Sequence, residues 1–175
     1  MKKIFITLIF ALLVTVASIW LWNYFTLQKE MNSVIEMDYR NSGIEVSVHY
    51  GSYLNTNKLV YNLTSISGSK SPSDVFRVLL QFAEKMKTSE FSTIELEHKG
   101  NLKFIIEGSY FKQLGNEYEF QNPVYTMRTF PSNLKNPDGT QAYGEWTGGL
   151  FGVLNEQLED FNDFHKRWYI DDFNY

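Results

Sequence analysis

His165 lies in a stretch from Leu150 to Trp168 whose apolar residues recur at helical spacing. Projection at about 100° per residue sets it between Leu158 and Phe161 on the apolar side, where Gln157 also falls. An imidazole there is either a hydrogen-bonded core side chain or the polar wall of a cleft, and burial would push it toward the neutral form. With Gln157, Trp146 and the Gly148-Gly149 turn it outlines a small-ligand pocket between a sheet and the last helix. As a general base it would need a carboxylate within about 3 Å, which the spacing does not supply.

Gly148 and Gly149 stand where that helix begins, so free amides there could hold a carboxylate or phosphate. The segment lacks the lysine of a phosphate-binding loop and the spacing of a dinucleotide fingerprint, and close backbone packing explains the glycines equally well. Glu156, Glu159, Asp160 and Asp163 project opposite the apolar stripe, where water solvates them and no second wall can enclose an ion. His49 and His98 have no metal-ligand interval. The chain has no cysteine, which removes disulfides, thiolate ligands and a cysteine nucleophile, and no serine sits in a nucleophile elbow. Neither metal nor cofactor is expected, and the chemistry reads as non-catalytic. Asn62-Leu63-Thr64 fits a glycosylation triplet, a pattern common by chance.

The elements that must position these residues follow from periodicity. Ile44, Val46, Val48 and Tyr50 alternate with polar residues, and Leu59, Tyr61 and Leu63 repeat the pattern, giving two paired strands. Ser71-Pro72-Ser73-Asp74 starts a helix over 71–88, with Ser71 as cap, Pro72 in the first turn and Asp74 reaching back to the cap amide. Phe91 to His98 and Leu102 to Glu107 form a hairpin. A three-residue turn there would set His98 opposite Leu102, Leu96 opposite Phe104 and Ile94 opposite Ile106, with Glu97 meeting Lys103.

A short helix is expected through Tyr110, Phe111 and Leu114, interrupted at Gly115. Val124 to Phe130 fits a strand or a helical turn, and Pro131 to Thr140 a loop. Rings between Tyr110 and Trp146 are too dense for all to be hidden, and those left at a surface suit binding. A final helix is expected over 149–169 with Thr147 as cap. The fold class is α+β: a mostly antiparallel sheet of about four strands, order ββαββ, covered by the 71–88 and 149–169 helices.

Ahead of all this, Lys2 and Lys3 precede an apolar run from Ile4 to Leu27 that ends among Trp20, Trp22, Tyr24 and Phe25. Roughly 20 such residues cross a hydrocarbon core of about 30 Å, with the lysines in the cytoplasm and the rings at the far headgroups. Residues 1–28 read as an uncleaved anchor, 29–42 as a stalk or a helical continuation, and 43–175 as one exported domain. A cleaved signal peptide is the rival, though a cut after Ala17 would leave Ser18-Ile19-Trp20-Leu21-Trp22 as a poorly soluble start.

Setting aside Lys2 and Lys3 leaves 14 basic against 20 acidic residues, a net charge of −6, which disfavours a nucleic-acid partner. The expectation is therefore a single-pass protein of the bacterial cytoplasmic membrane, its domain in the periplasm or extracytoplasmic space. There it would contact another envelope protein, as an accessory or immunity-type protein.

Overall fold

The computed structural model describes residues 2–146 and 150–173. Its first 36 residues, Lys2–Met37, form one uninterrupted helix, made of α1 (Lys2–Asn23), a π-helical turn (Tyr24–Gln28) and α2 (Lys29–Met37). Every side chain from Lys2 to Ser18 is exposed. An 18-residue window in this part has mean hydropathy 2.7, so the helix is long and apolar enough to cross a membrane. Past Asn23 it becomes amphipathic, and Leu27, Met31 and Val34, spaced at i, i+4 and i+7, are wholly buried. Between the two readings of residues 29–42, the helical continuation is the form adopted. A free stalk is excluded because Met31, Val34 and Asn41 are inside the fold.

Next come β1 (Ile44–Gly51), β2 (Asn55–Ile66), α3 (Pro72–Lys85), β3 (Thr93–His98), β4 (Asn101–Glu107), α4 (Gly108–Glu117), α5 (Pro123–Thr129), β5 (Leu134–Lys135) and α6 (Leu150–His165). A π-helical turn (Lys166–Ile170) and a 3-10 turn (Asp171–Phe173) continue the last helix. The sheet therefore has five strands rather than four, in the order β1-β2-β3-β4-β5. Its β2 and β3 are parallel while the other neighbours are antiparallel. The parallel pair arises because α3 carries the chain back to the starting end of the sheet before β3 begins.

Helix α3 begins as its residues dictate. The Ser71 hydroxyl accepts from the Asp74 amide at 3.2 Å, and the Asp74 carboxylate accepts from the Ser71 amide at 2.9 Å. The β3–β4 turn differs from expectation. Lys99 and Gly100 both have positive φ, 50° and 78°, and close a two-residue turn that sets His98 opposite Asn101. A bulge at Lys103 absorbs the slip, leaving Glu97 opposite Leu102 and preserving the pairs Leu96 with Phe104 and Ile94 with Ile106. Residues 123–129 are helix, not strand. Helix α4 runs through Gly115 rather than breaking there, because a Cβ on Gly115 would collide with the Ala83 carbonyl of α3. Glycine thus lets two helix backbones touch.

One face of the sheet is buried under the helices in a single apolar cluster. The other carries Glu45, Ser47, His49, Asn62, Thr64, Glu95 and Glu97, none fully buried. Where α2 ends, a polar network ties it to α3. The Asn41 amide donates to the Val34 carbonyl at 2.8 Å and to Gln81 Oε1 at 2.6 Å, and Arg77 reaches Asp74 at 2.8 Å. Hydrogen bonds from Arg40 hold the Asp38 carboxyl far below the usual carboxylate range.

Candidate functional site

The space between the sheet and the last helix is filled by rings rather than left open. His165 is 0% exposed and sits among Phe161 (centroid distance 4.6 Å), Phe164 (4.7 Å), Tyr169 (5.6 Å), Phe76 and Trp168 (both 6.3 Å). Among the described residues neither ring nitrogen has a hydrogen-bond partner, so none of them supplies the carboxylate that general-base work needs. Desolvation lowers its pKa from 6.5 to about 3, keeping the imidazole neutral.

The other proposed pocket residues are engaged elsewhere. Gln157 Oε1 accepts from Arg128 Nε at 2.9 Å, tying α6 to α5. Trp146, still 41% exposed, donates its indole N–H to Asp160 at 2.6 Å. None of His165, Gln157 and Trp146 lines any of the cavities described here. Gly148 and Gly149, with the Thr147 cap, lie outside the described residues. Among the described residues no group of three or more histidine, aspartate or glutamate side chains is placed to hold a metal.

Sequence spacing gave His98 no partner, yet the fold brings Asp172 to its Nδ1 at 2.6 Å across 74 positions. Asp172 also accepts from Lys103 at 3.0 Å. The His98 hydrogen bond, then that of Lys103, pulls the Asp172 carboxyl below its ordinary range. His98 is wholly buried and Asp172 a third exposed, and their contact ties the last turn of the chain to the sheet.

The arrangement that sets this fold apart lies along the free edge of β1. A sheet edge presents unpaired amides and carbonyls that invite another strand. Here two carboxamides of the long helix occupy them. Gln28 Nε2 donates to the Val46 carbonyl at 3.0 Å and its Oε1 accepts from the Val48 amide at 2.8 Å. Asn23 Oδ1 accepts from the Tyr50 amide at 2.8 Å, and its Nδ2 donates to the Tyr53 carbonyl at 2.8 Å. Residues five apart on an α-helix point about 140° away from each other. The π-helical turn between them brings the two amides to the same edge. The only signal in the sequence was an asparagine and a glutamine interrupting an aromatic and apolar stretch.

Beside this seam runs a groove of about 550 Å³ between the helix and the polar face of β1. Trp20, Tyr24, Gln28, Asn32 and Glu36 line its helix side; Glu45, Ser47 and His49 line its sheet side. From Trp20 to Glu36 it extends about 24 Å, with rings at the apolar end of the helix and the exposed carboxylates Glu36 and Glu45 at the other.

A second cavity of about 340 Å³, between α3, α4 and α5, includes Arg40 and Arg77. Asp38 at 2.6 Å from Arg40 and Asp74 at 2.8 Å from Arg77 already balance those charges. In comparisons with known proteins, no family model, no curated sequence and no solved structure matches this chain.

Proposed function

We propose that this chain is a non-catalytic, single-pass membrane protein of the bacterial cell envelope. In this reading its domain stands on the outer side of the cytoplasmic membrane and acts by contact with another envelope protein. The observation that carries the proposal is the unbroken helix Lys2–Met37, bare along its apolar half and stitched to the edge of β1 by Asn23 and Gln28 in its other half. Such an anchor fixes the orientation of the domain relative to the bilayer, a property useful to a docking module. The packed environment of His165, with no acid within hydrogen-bond reach among the described residues, argues against acid–base work by this ring.

The groove along the helix is the surface best suited to the partner. Its rings would lie nearest the lipid and its two carboxylates farther out, which fits a membrane protein whose juxtamembrane segment passes from apolar to basic. A photo-crosslinking side chain at Ser47 in the full chain, in its own membrane, tests this. One dominant heterologous adduct is expected, weakened by the combined charge reversal Glu36→Lys and Glu45→Lys and absent from a crosslinker at Asp138. Self-adducts alone, or equal adducts from both positions, would refute the proposal.

A further inference from the structure

At the apolar end of the groove, the β1–β2 hairpin ends in two residues with left-handed backbone, Ser52 (φ 47°) and Tyr53 (φ 63°). Neither is glycine, so each is strained by its Cβ, and a bulky ring in this region is uncommon. The conformation is held by the Asn23 hydrogen bond to the Tyr53 carbonyl and by stacking of the Tyr53 ring on His49 at 4.2 Å. Its result is that two apolar side chains face outward at the tip: Tyr53 is 46% and Leu54 61% exposed.

Their height follows from the helix. About 20 residues from Ile4 to Asn23 rise about 30 Å, one hydrocarbon thickness, so Asn23 falls at the far boundary of the apolar layer. The Asn23 side chain touches the Tyr53 carbonyl, so the tip lies at the same level as the boundary. Trp20 and Phe25, both exposed, and Trp22, packed on Tyr50 at 4.9 Å, lie within three residues of Asn23 along the helix, at the depth where interfacial rings sit. From Tyr50 to Asn57 there is no charged residue, in a domain otherwise strongly acidic. That stretch can approach anionic headgroups without repulsion.

We propose that the hairpin tip, through Tyr53 and Leu54, is a second membrane contact seated in the lipid headgroup layer, so that the domain rests on the bilayer instead of standing away from it. The proposal rests on the helix being a membrane anchor. Because the chain has no cysteine, single-cysteine variants of the full chain carry one fluorophore each without further change.

Leu12→Cys, Leu54→Cys and Gly68→Cys would be labelled with a polarity-sensitive dye and reconstituted in vesicles of phosphatidylethanolamine and phosphatidylglycerol. Quenching by nitroxide lipids labelled at the headgroup or deep in the acyl chain reports depth. The expected pattern is deep quenching at Leu12, headgroup quenching at Leu54 several-fold above that at Gly68, and little at Gly68, which lies at the opposite end of β2. Deep quenching at Leu12 with Leu54 indistinguishable from Gly68 would overturn the tip contact while leaving the anchor intact. No deep quenching at Leu12 would overturn the anchor and the tip contact with it.

Discussion

His165→Leu tests the most unusual packing decision in this fold. The imidazole is wholly buried, both nitrogens unpartnered among the described residues, and its folded pKa of about 3 stands well below the 6.5 of an unfolded histidine. Between those values the unfolded chain binds a proton that the folded chain refuses. Stability is then highest above pH 6.5 and falls as the pH drops toward 3. At about 1.4 kcal/mol per pH unit, lowering the pH from 7.5 to 5 costs the wild type about 2 kcal/mol through this one residue. Leucine has a similar volume and no proton to bind, so His165→Leu loses that increment. At neutral pH it relieves the desolvation of two orphaned nitrogens, worth on the order of 1–3 kcal/mol, against ring contacts worth about 1 kcal/mol. The net is neutral to slightly stabilising. Urea unfolding of the full chain in detergent micelles at pH 7.5 and pH 5 gives both numbers. If the two proteins lose the same stability between these pH values, the imidazole is either solvated or already hydrogen-bonded and the reasoning is wrong.

Asn23→Ala strands the Tyr50 amide and the Tyr53 carbonyl, so a loss of about 2 kcal/mol is expected together with faster hydrogen exchange at the Tyr50 amide. Gln28→Ala should free the Val48 amide to exchange faster, with a smaller loss of about 1 kcal/mol because the groove admits water. Gly115→Ala forces a methyl against the Ala83 carbonyl and should cost about 2 kcal/mol or more, read as a lowered urea midpoint. Asp172 keeps its charge to lower pH when folded, so its stabilisation is present above the ordinary carboxylate pKa and disappears as the pH falls through the lowered value. Asp172→Asn should therefore lower the urea midpoint at pH 7, by an amount that shrinks as the pH falls below the ordinary carboxylate range.

Much of the local structure could be read directly from residue order. The Ser71 to Asp74 capping box acts within one turn, and the alternation in β1 and β2 is visible residue by residue. Pairing of Ile94 with Ile106 and of Leu96 with Phe104 followed from keeping one apolar face, although the turn between them is one residue shorter and a bulge at Lys103 makes up the difference. Gly115 does not break its helix, because a glycine in a helix signals a break only when no neighbouring backbone needs the space. The small-ligand pocket outlined around His165 depended on the apolar stripe leaving room beside the ring, and rings from α3 and α6 fill that room instead.

The order of residues alone determined the bare apolar helix, the capped helix α3 and the alternating strands, because hydropathy, caps and side-chain period act over a turn or two of chain. Tertiary structure decided which distant groups meet: Gln28 and Asn23 with the edge of β1, Asp172 with His98, α4 with the Ala83 carbonyl, and β2 parallel to β3. An amide or carboxylate carries no mark of its partner, and the pairing is set only when burial fixes which backbone groups would otherwise go unsatisfied.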